Sequence, residues 1–200
     1  MPITVDKFSS LIIVDVQNDF CPGGALAVKN GDKVIPILNK YIPYFQAVRA
    51  PIFTTRDWHP KNHISFKERG GPWLPHCVQG SKGADLHPDL KLPYGSTVIS
   101  KGFLLDQDAY SGFQGTDLEA RLKEKGIKRT FIGGLATDYC VKHTVLDSLK
   151  CGFDTYLLTD AIQGVEVKRS DSKSAIDGMV QAGAKKIKLS DLKFVKLARV

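Results

Sequence analysis

The chain has 200 residues, 42% hydrophobic and 24% charged, with a net charge of +7 and a pI near 9.2. That is enough apolar material for one well-buried domain over residues 1–200, and the length argues against two. No apolar run approaches the ~20 residues of a membrane span, and Met1-Pro-Ile-Thr-Val-Asp-Lys7 has no signal-peptide core, so the expected setting is the cytoplasm with no membrane partner.

Apolar runs and amphipathic stretches alternate along the chain. Phe8 to Val16 is β-rich and nearly all apolar, which reads as a central parallel strand. Asp32 to Val48 carries Val34, Ile35, Leu38, Ile42 and Phe45 at helical spacing; Pro36 suits a first turn, and Pro43 should kink or shorten the helix. Pro51–Thr55 is a second strand and Thr97–Ser100 a third. A helix over Thr116–Lys125 ends at Gly126, and Thr130–Gly133 is the fourth strand. A helix over Asp138–Lys150 ends at Gly152, Thr155–Leu158 is the fifth strand, a helix from about Ser170 to Ala182 ends at Gly183, and Lys186–Leu189 closes the series. Strand then helix, repeated, predicts an α/β fold: a doubly wound, mostly parallel sheet flanked by helices. The exception is Asp57 to Gly95, rich in Pro, Gly, His and Trp and without periodicity, read as an insertion that builds a site or holds a metal.

Four cysteines, at 21, 77, 140 and 151, show no Cys-x-x-Cys spacing, so free thiols are expected. Part of the positive charge sits in the tail from Lys185 to Arg199. It is not one block, aromatics do not alternate with it, and it carries no nucleic-acid motif, so it reads as a solvated edge with no nucleic-acid partner.

In an open α/β sheet, ligands bind outside the carboxyl ends of the strands. Asp15 stands after the first strand, Asp57 and His59 after the second, Lys101 after the third and Cys140 after the fourth. In Arg129-Thr-Phe-Ile-Gly-Gly-Leu-Ala-Thr-Asp-Tyr-Cys140, a strand meets a Gly-Gly break and Cys140 follows in the first turn of a helix. Unpaired N–H groups and the helix dipole there are expected to favour thiolate and to hold a developing oxyanion. Asp15 is then the acid/base, Lys101 the group that tunes both, and the amides of Ala136 and Cys140 the oxyanion hole. Asp57 and His59, on alternate residues, point the same way if the segment is extended, and His76 lies in a loop able to return. One carboxylate and two imidazoles suit Zn²⁺, Fe²⁺ or Mn²⁺.

Six motifs in order then carry a resemblance. They are Ile13-Val-Asp15-Val-Gln-Asn-Asp-Phe20-Cys-Pro-Gly-Gly-Ala-Leu26, Thr55-Arg-Asp57-Trp-His59-Pro, Trp73-Leu-Pro-His76-Cys-Val, Lys101-Gly, Ala109-Tyr110-Ser-Gly-Phe and Gly134-Leu-Ala136-Thr-Asp-Tyr-Cys140-Val. From about residue 8 to 190 the chain resembles the nicotinamidase (pyrazinamidase) family of the isochorismatase-like cysteine hydrolases. The resemblance implies a Cys140, Asp15, Lys101 triad and a cis peptide between Leu135 and Ala136. It implies a divalent metal, zinc first, on Asp57, His59 and His76, which binds the substrate's pyridine nitrogen. Phe20 and Trp73 match the family's pocket aromatics, Tyr110 and Tyr139 lie close to matched motifs, and Leu26 is a pocket wall. His63 is a further ligand or a group behind the ligands, while His87 and His143 are expected to face solvent. The implied substrate is nicotinamide, with pyrazinamide also accepted; self-association as a homo-oligomer is compatible with all of this. The rivals are an amidase for carbamoyl substrates, a non-haem iron oxygenase, and a metal-binding protein without turnover. The intact metal set opposes the first, the triad would go unexplained in the second, and Cys140 and Lys101 would be idle in the third.

Overall fold

The computed structural model describes residues 3–193, so the last part of the basic tail, 194–200, lies outside the described residues. Its centre is a six-stranded, wholly parallel sheet. In chain order the described elements are β1 (Ile3–Thr4), β2 (Ser9–Val14), α1 (Val34–Ala47), β3 (Ile52–Asp57), β4 (Thr97–Lys101), α2 (Leu118–Glu124), β5 (Arg129–Leu135), α3 (Lys142–Lys150), β6 (Asp154–Gln163), α4 (Asp171–Gln181), β7 (Lys185–Ile187) and β8 (Leu192–Lys193). The sheet order is β4-β3-β2-β5-β6-β7, and β1 pairs with β8 as a separate parallel ribbon. From β2 the chain winds outward to β4, then returns to place β5 on the other side of β2. The switch point is therefore at β2, where a crevice opens outside the strand ends.

β2 shows why its apolar run need not alternate. All six of its residues are buried, because both sheet faces are covered. Leu11 and Ile13 join the cluster under α1 with Leu38, Tyr41 and Phe45. Ile12 and Val14 face the opposite cluster, with Leu118, Leu122, Val145 and Met179 from α2, α3 and α4. Period two along one strand thus feeds two cores.

The main expectations hold, with shifted boundaries. Pro43 neither ends nor shortens α1, which runs on to Ala47: the ring is exposed, and Val34, Ile35, Leu38, Tyr41, Ile42 and Phe45 bury the opposite face. β6 is longer than expected, because its pairing with β5 resumes beyond an irregularity between Ile132 and Gly134. The helix expected from Asp138 begins instead as a π-helical turn over Thr137–Val141, with α3 following. The strand expected at Lys186–Leu189 is β7 and stops at Ile187, giving way to a 3₁₀ turn at Leu189–Asp191. The 39 residues between β3 and β4 hold only two short 3₁₀ turns and no crossover helix. All four cysteines are free. No helix among the described residues is long and apolar enough to cross a membrane.

Gly134 fixes how closely β5 approaches β2. Its φ is +124°, and a Cβ there would stand 2.1 Å from the Val14 carbonyl oxygen. Gly134→Ala is expected to cost about 3 kcal/mol through strain and overpacking, read from denaturant unfolding; an unchanged midpoint would show that the two strand ends can separate freely.

Candidate active site

The carboxyl ends of β2, β3, β4 and β5 bring the expected residues together. Asp15 follows β2 in a left-handed conformation, φ 49°. Its N–H donates to the Thr55 carbonyl at 3.2 Å, and the Thr55 hydroxyl donates to its Oδ1 at 2.6 Å. Asp57 and Lys101 are the last residues of β3 and β4 and stand opposite each other in the parallel register. Lys101 Nζ, wholly buried, lies 2.5 Å from Asp57 Oδ1, 2.9 Å from Asp15 Oδ2, 3.2 Å from the Ala109 carbonyl oxygen and 3.4 Å from Cys140 Sγ. A buried carboxylate with one oxygen within 4.8 Å of the Cys140 sulfur is suited to take a proton from the thiol.

Charge balance decides the protonation states. Burial alone would raise Asp57, but the Lys101 ammonium reverses this and holds it below the usual carboxylate range. Asp15 goes the other way: burial raises it, Asp57 adds to the rise, and Lys101 only partly offsets them. Cys140 differs from the sequence expectation. Its thiol is pushed well above its ordinary value by burial, with Asp15 and Asp57 adding to the shift and Lys101 opposing it. A base beside the sulfur is then suited to take its proton.

Asp57, His59 and His76 also converge. Trp58 N–H donates to the Lys101 carbonyl at 3.0 Å, so the chain stays extended past β3 and returns His59 to the side of Asp57. Trp58 points the opposite way, under the Arg56 guanidinium at 3.8 Å. One donor atom from each of Asp57, His59 and His76 lies within 4.8 Å of the others. His59 Nδ1 faces the Gly102 carbonyl at 2.9 Å and His76 Nδ1 the Leu74 carbonyl at 2.7 Å. A carbonyl only accepts, so each Nδ1 bears the proton and each Nε2 is left bare, 3.6 and 4.0 Å from Asp57 Oδ2. A buried carboxylate with two imidazoles in that tautomer fits a divalent metal ion. Asp15, Asp57 and Cys140 form a second acidic group of similar span, but the Lys101 ammonium is its cation.

Beside these groups lies a small pocket. Phe20, Leu26, Trp73, Tyr110 and Tyr139 all line it, together with Ala136, Cys140, Asp57 and His76. Trp73 Nε1 donates to the Tyr110 hydroxyl at 2.9 Å, and Trp73 meets Tyr139 edge to face at 4.9 Å. The Leu135–Ala136 peptide is cis, as the resemblance implies. His143 is exposed against Tyr110, whereas His87 is half-buried, its Nδ1 accepting from Asp89 N–H, contrary to expectation.

Sequence reasoning passed over the groups that hold the site in place. Gln17 is wholly buried; its Nε2 donates to the Asp57 and Ala84 carbonyls at 2.8 and 2.9 Å, and its Oε1 accepts the Asp57 N–H at 2.8 Å. Asp19 accepts the Cys77 N–H at 2.7 Å and the Ala25 N–H at 3.1 Å, joining the Phe20 and His76 loops. Asp138 accepts the N–H groups of Val165 and Glu166 at 2.9 and 2.8 Å, and Val165 is a pocket wall. The signal was there in part: polar residues two apart after a buried strand, Asp15, Gln17 and Asp19, each need partners.

The isochorismatase domain model matches residues 9–191. The nicotinamidase of Escherichia coli (strain K12) is 39% identical, over 91% of this chain and 95% of that protein. A crystal structure of the pyrazinamidase of Pyrococcus horikoshii in complex with zinc is 51% identical, covers 90% of this chain and 99% of that one, and superposes with a TM-score of 0.87. The structure of PnC1 from L. infantum in complex with nicotinate is 37% identical, covers 96% and 99%, and has a TM-score of 0.88.

Gln17→Leu keeps the volume and leaves three buried backbone groups without partners. At about 1–3 kcal/mol for each orphan, a loss of about 3 kcal/mol or more is expected in denaturant melts. Stability equal to wild type would show that the clamp on Asp57 contributes nothing.

Proposed function

The chain belongs to the isochorismatase family, within its nicotinamidase and pyrazinamidase group, and we propose that its site performs that group's chemistry. It hydrolyses nicotinamide to nicotinate and ammonia. The observation that carries this reading is the thiol of Cys140 beside Asp15 and Lys101 on one side of a small aromatic pocket, with Asp57 and His76 also at its wall.

In the proposed sequence of steps, Asp15 takes the Cys140 proton as sulfur attacks the carboxamide carbon. Burial pushes the thiol up, so proton transfer to the Asp15 carboxylate accompanies attack. Lys101 stabilises the sulfur and carboxylate charges while the proton is in flight. The amides of Ala136 and Cys140 receive the oxyanion. The C–N bond breaks as Asp15 returns the proton to nitrogen, and ammonia leaves a nicotinoyl thioester. Water, deprotonated by Asp15, attacks the thioester; nicotinate departs and the thiol regains its proton. Phe20 and Trp73 hold the flat ring, with Leu26, Tyr110 and Tyr139 completing the wall.

Asp57 Oδ2, His59 Nε2 and His76 Nε2 would hold the metal. When bound, it would coordinate the ring nitrogen and so orient the carboxamide. Zinc is the ion we propose, on the donor set and on the zinc complex of the P. horikoshii pyrazinamidase; iron and manganese suit the same donors. Pyrazinamide, with a ring nitrogen in the same relation to its carboxamide, is the second substrate. One sheet shared by both apolar clusters supports reading the chain as one hydrolase domain.

Ammonia release from nicotinamide by the purified protein tests the reading. Cys140→Ala is expected to lower turnover by at least about 1,000-fold, and chelation to lower it reversibly, with recovery on re-adding zinc. Wild-type turnover in Cys140→Ala would end the thioester reading; turnover indifferent to chelation would end the metal's role in binding.

A further inference from the structure

One buried imidazole is left without a task by this scheme. His63 has no exposed surface, and its ring lies against that of His59, with centroids 4.2 Å apart and planes 25° apart. Both of its nitrogens are committed. Nε2 faces the Gln107 carbonyl at 3.0 Å, which only accepts, so Nε2 bears the proton. Nδ1 is then the acceptor, and it faces the Ser65 hydroxyl at 2.7 Å and the Ser65 N–H at 3.3 Å. No lone pair remains for a cation. His59 and His76 are the opposite case, each with Nδ1 satisfied by a carbonyl and Nε2 bare beside Asp57.

We propose that His63 is a positioning residue that sets the ring plane of His59 and does not itself hold the ion, an inference that rests on the metal reading above. His59 sits in a slot. Gly102 closes one edge so tightly that a Cβ there would be 2.6 Å from His59 Cε1. Phe66 meets the ring edge to face at 5.6 Å and 86°, and His63 covers a face. His63 is itself anchored from two directions, because Gln107 belongs to the loop after β4 while Ser65 belongs to its own turn. Ile64 N–H donating to the Leu105 carbonyl at 2.9 Å ties the same two segments together. The stack therefore transmits the position of that loop to the ring that carries the bare Nε2. Groups behind metal ligands in this way govern affinity by about 10–100-fold.

The test uses the full chain as wild type, His63→Ala, His63→Phe and Ser65→Ala. Zinc affinity is measured by chelator competition, the visible spectrum is recorded on the cobalt(II)-loaded protein, and KM and kcat are taken for nicotinamide. His63→Ala should weaken zinc binding by about 10–100-fold. His63→Phe keeps a ring on His59 and should recover part of that loss; Ser65→Ala, which leaves every ring in place, should show a smaller loss. The cobalt spectrum should keep the intensity of an unchanged coordination number in all three, with only small band shifts as the His59 ring relaxes, and KM should rise more than kcat falls. Should His63→Ala not fold, the other two variants carry the comparison. A cobalt intensity changed to that of one fewer ligand in the His63 variants would overturn the proposal by making His63 a ligand. Zinc affinity unchanged in all variants would overturn it while leaving the metal reading intact. A wild-type protein that takes up neither zinc nor cobalt would overturn the metal reading and this inference together.

Discussion

A single ammonium group holds two sites in register. Asp15 and Asp57 are both buried, and two carboxylates so close could not both ionise without a cation between them. Lys101 supplies it, touching both acids and the Cys140 sulfur. The parallel register that sets Asp57 opposite Lys101 thus fixes an electrostatic arrangement as well as a backbone one. One acid is held ionised, with its other oxygen turned to the two bare imidazole nitrogens. The other is left with a raised proton affinity beside a thiol that needs a base. The proposed division between a metal-binding carboxylate and a proton-carrying one follows from which side of Lys101 each occupies.

The rest of the site keeps that arrangement from relaxing. Gln17 grips the Asp57 backbone from both sides, and Asp19 draws the Cys77 turn toward the loop after β2. Asp138, two residues before the proposed nucleophile, carries the Val165 wall of the pocket. The backbone groups so held lie in loops, short turns or at a strand end, where no ladder or helix would satisfy them. The aromatic wall of Trp73, Tyr110 and Tyr139 is braced by contacts among its own members.

What the chain discloses without coordinates is governed by periodicity and residue type. The run Leu11–Val14 reads as a buried strand because nothing in it alternates, and the reactive residues at strand ends follow from where each run stops. The Asp57 and His59 pair is legible because alternate residues of extended chain share a side. The π-helical turn at Thr137–Val141 has no such signature, since no spacing separates it from an ordinary first turn. The upward push on the Cys140 thiol also escapes, because it comes from burial by segments distant in the chain. The same holds for the link from Lys101 to Asp57, which depends on strand register, and for His63, whose nitrogens are settled by a carbonyl 44 residues away.

The central claim is that Lys101 is the counter-charge on which both carboxylates depend. A double-mutant cycle on stability, with Lys101→Met, Asp15→Asn and the pair, measures it directly. Removing the ammonium alone should cost about 3–5 kcal/mol, the usual result of stranding buried charge. Neutralising Asp15 on that background should recover a sizeable part, giving a coupling of about 1 kcal/mol or more. Additive effects, or a Lys101→Met protein as stable as wild type, would mean that the two acids are balanced by something other than Lys101.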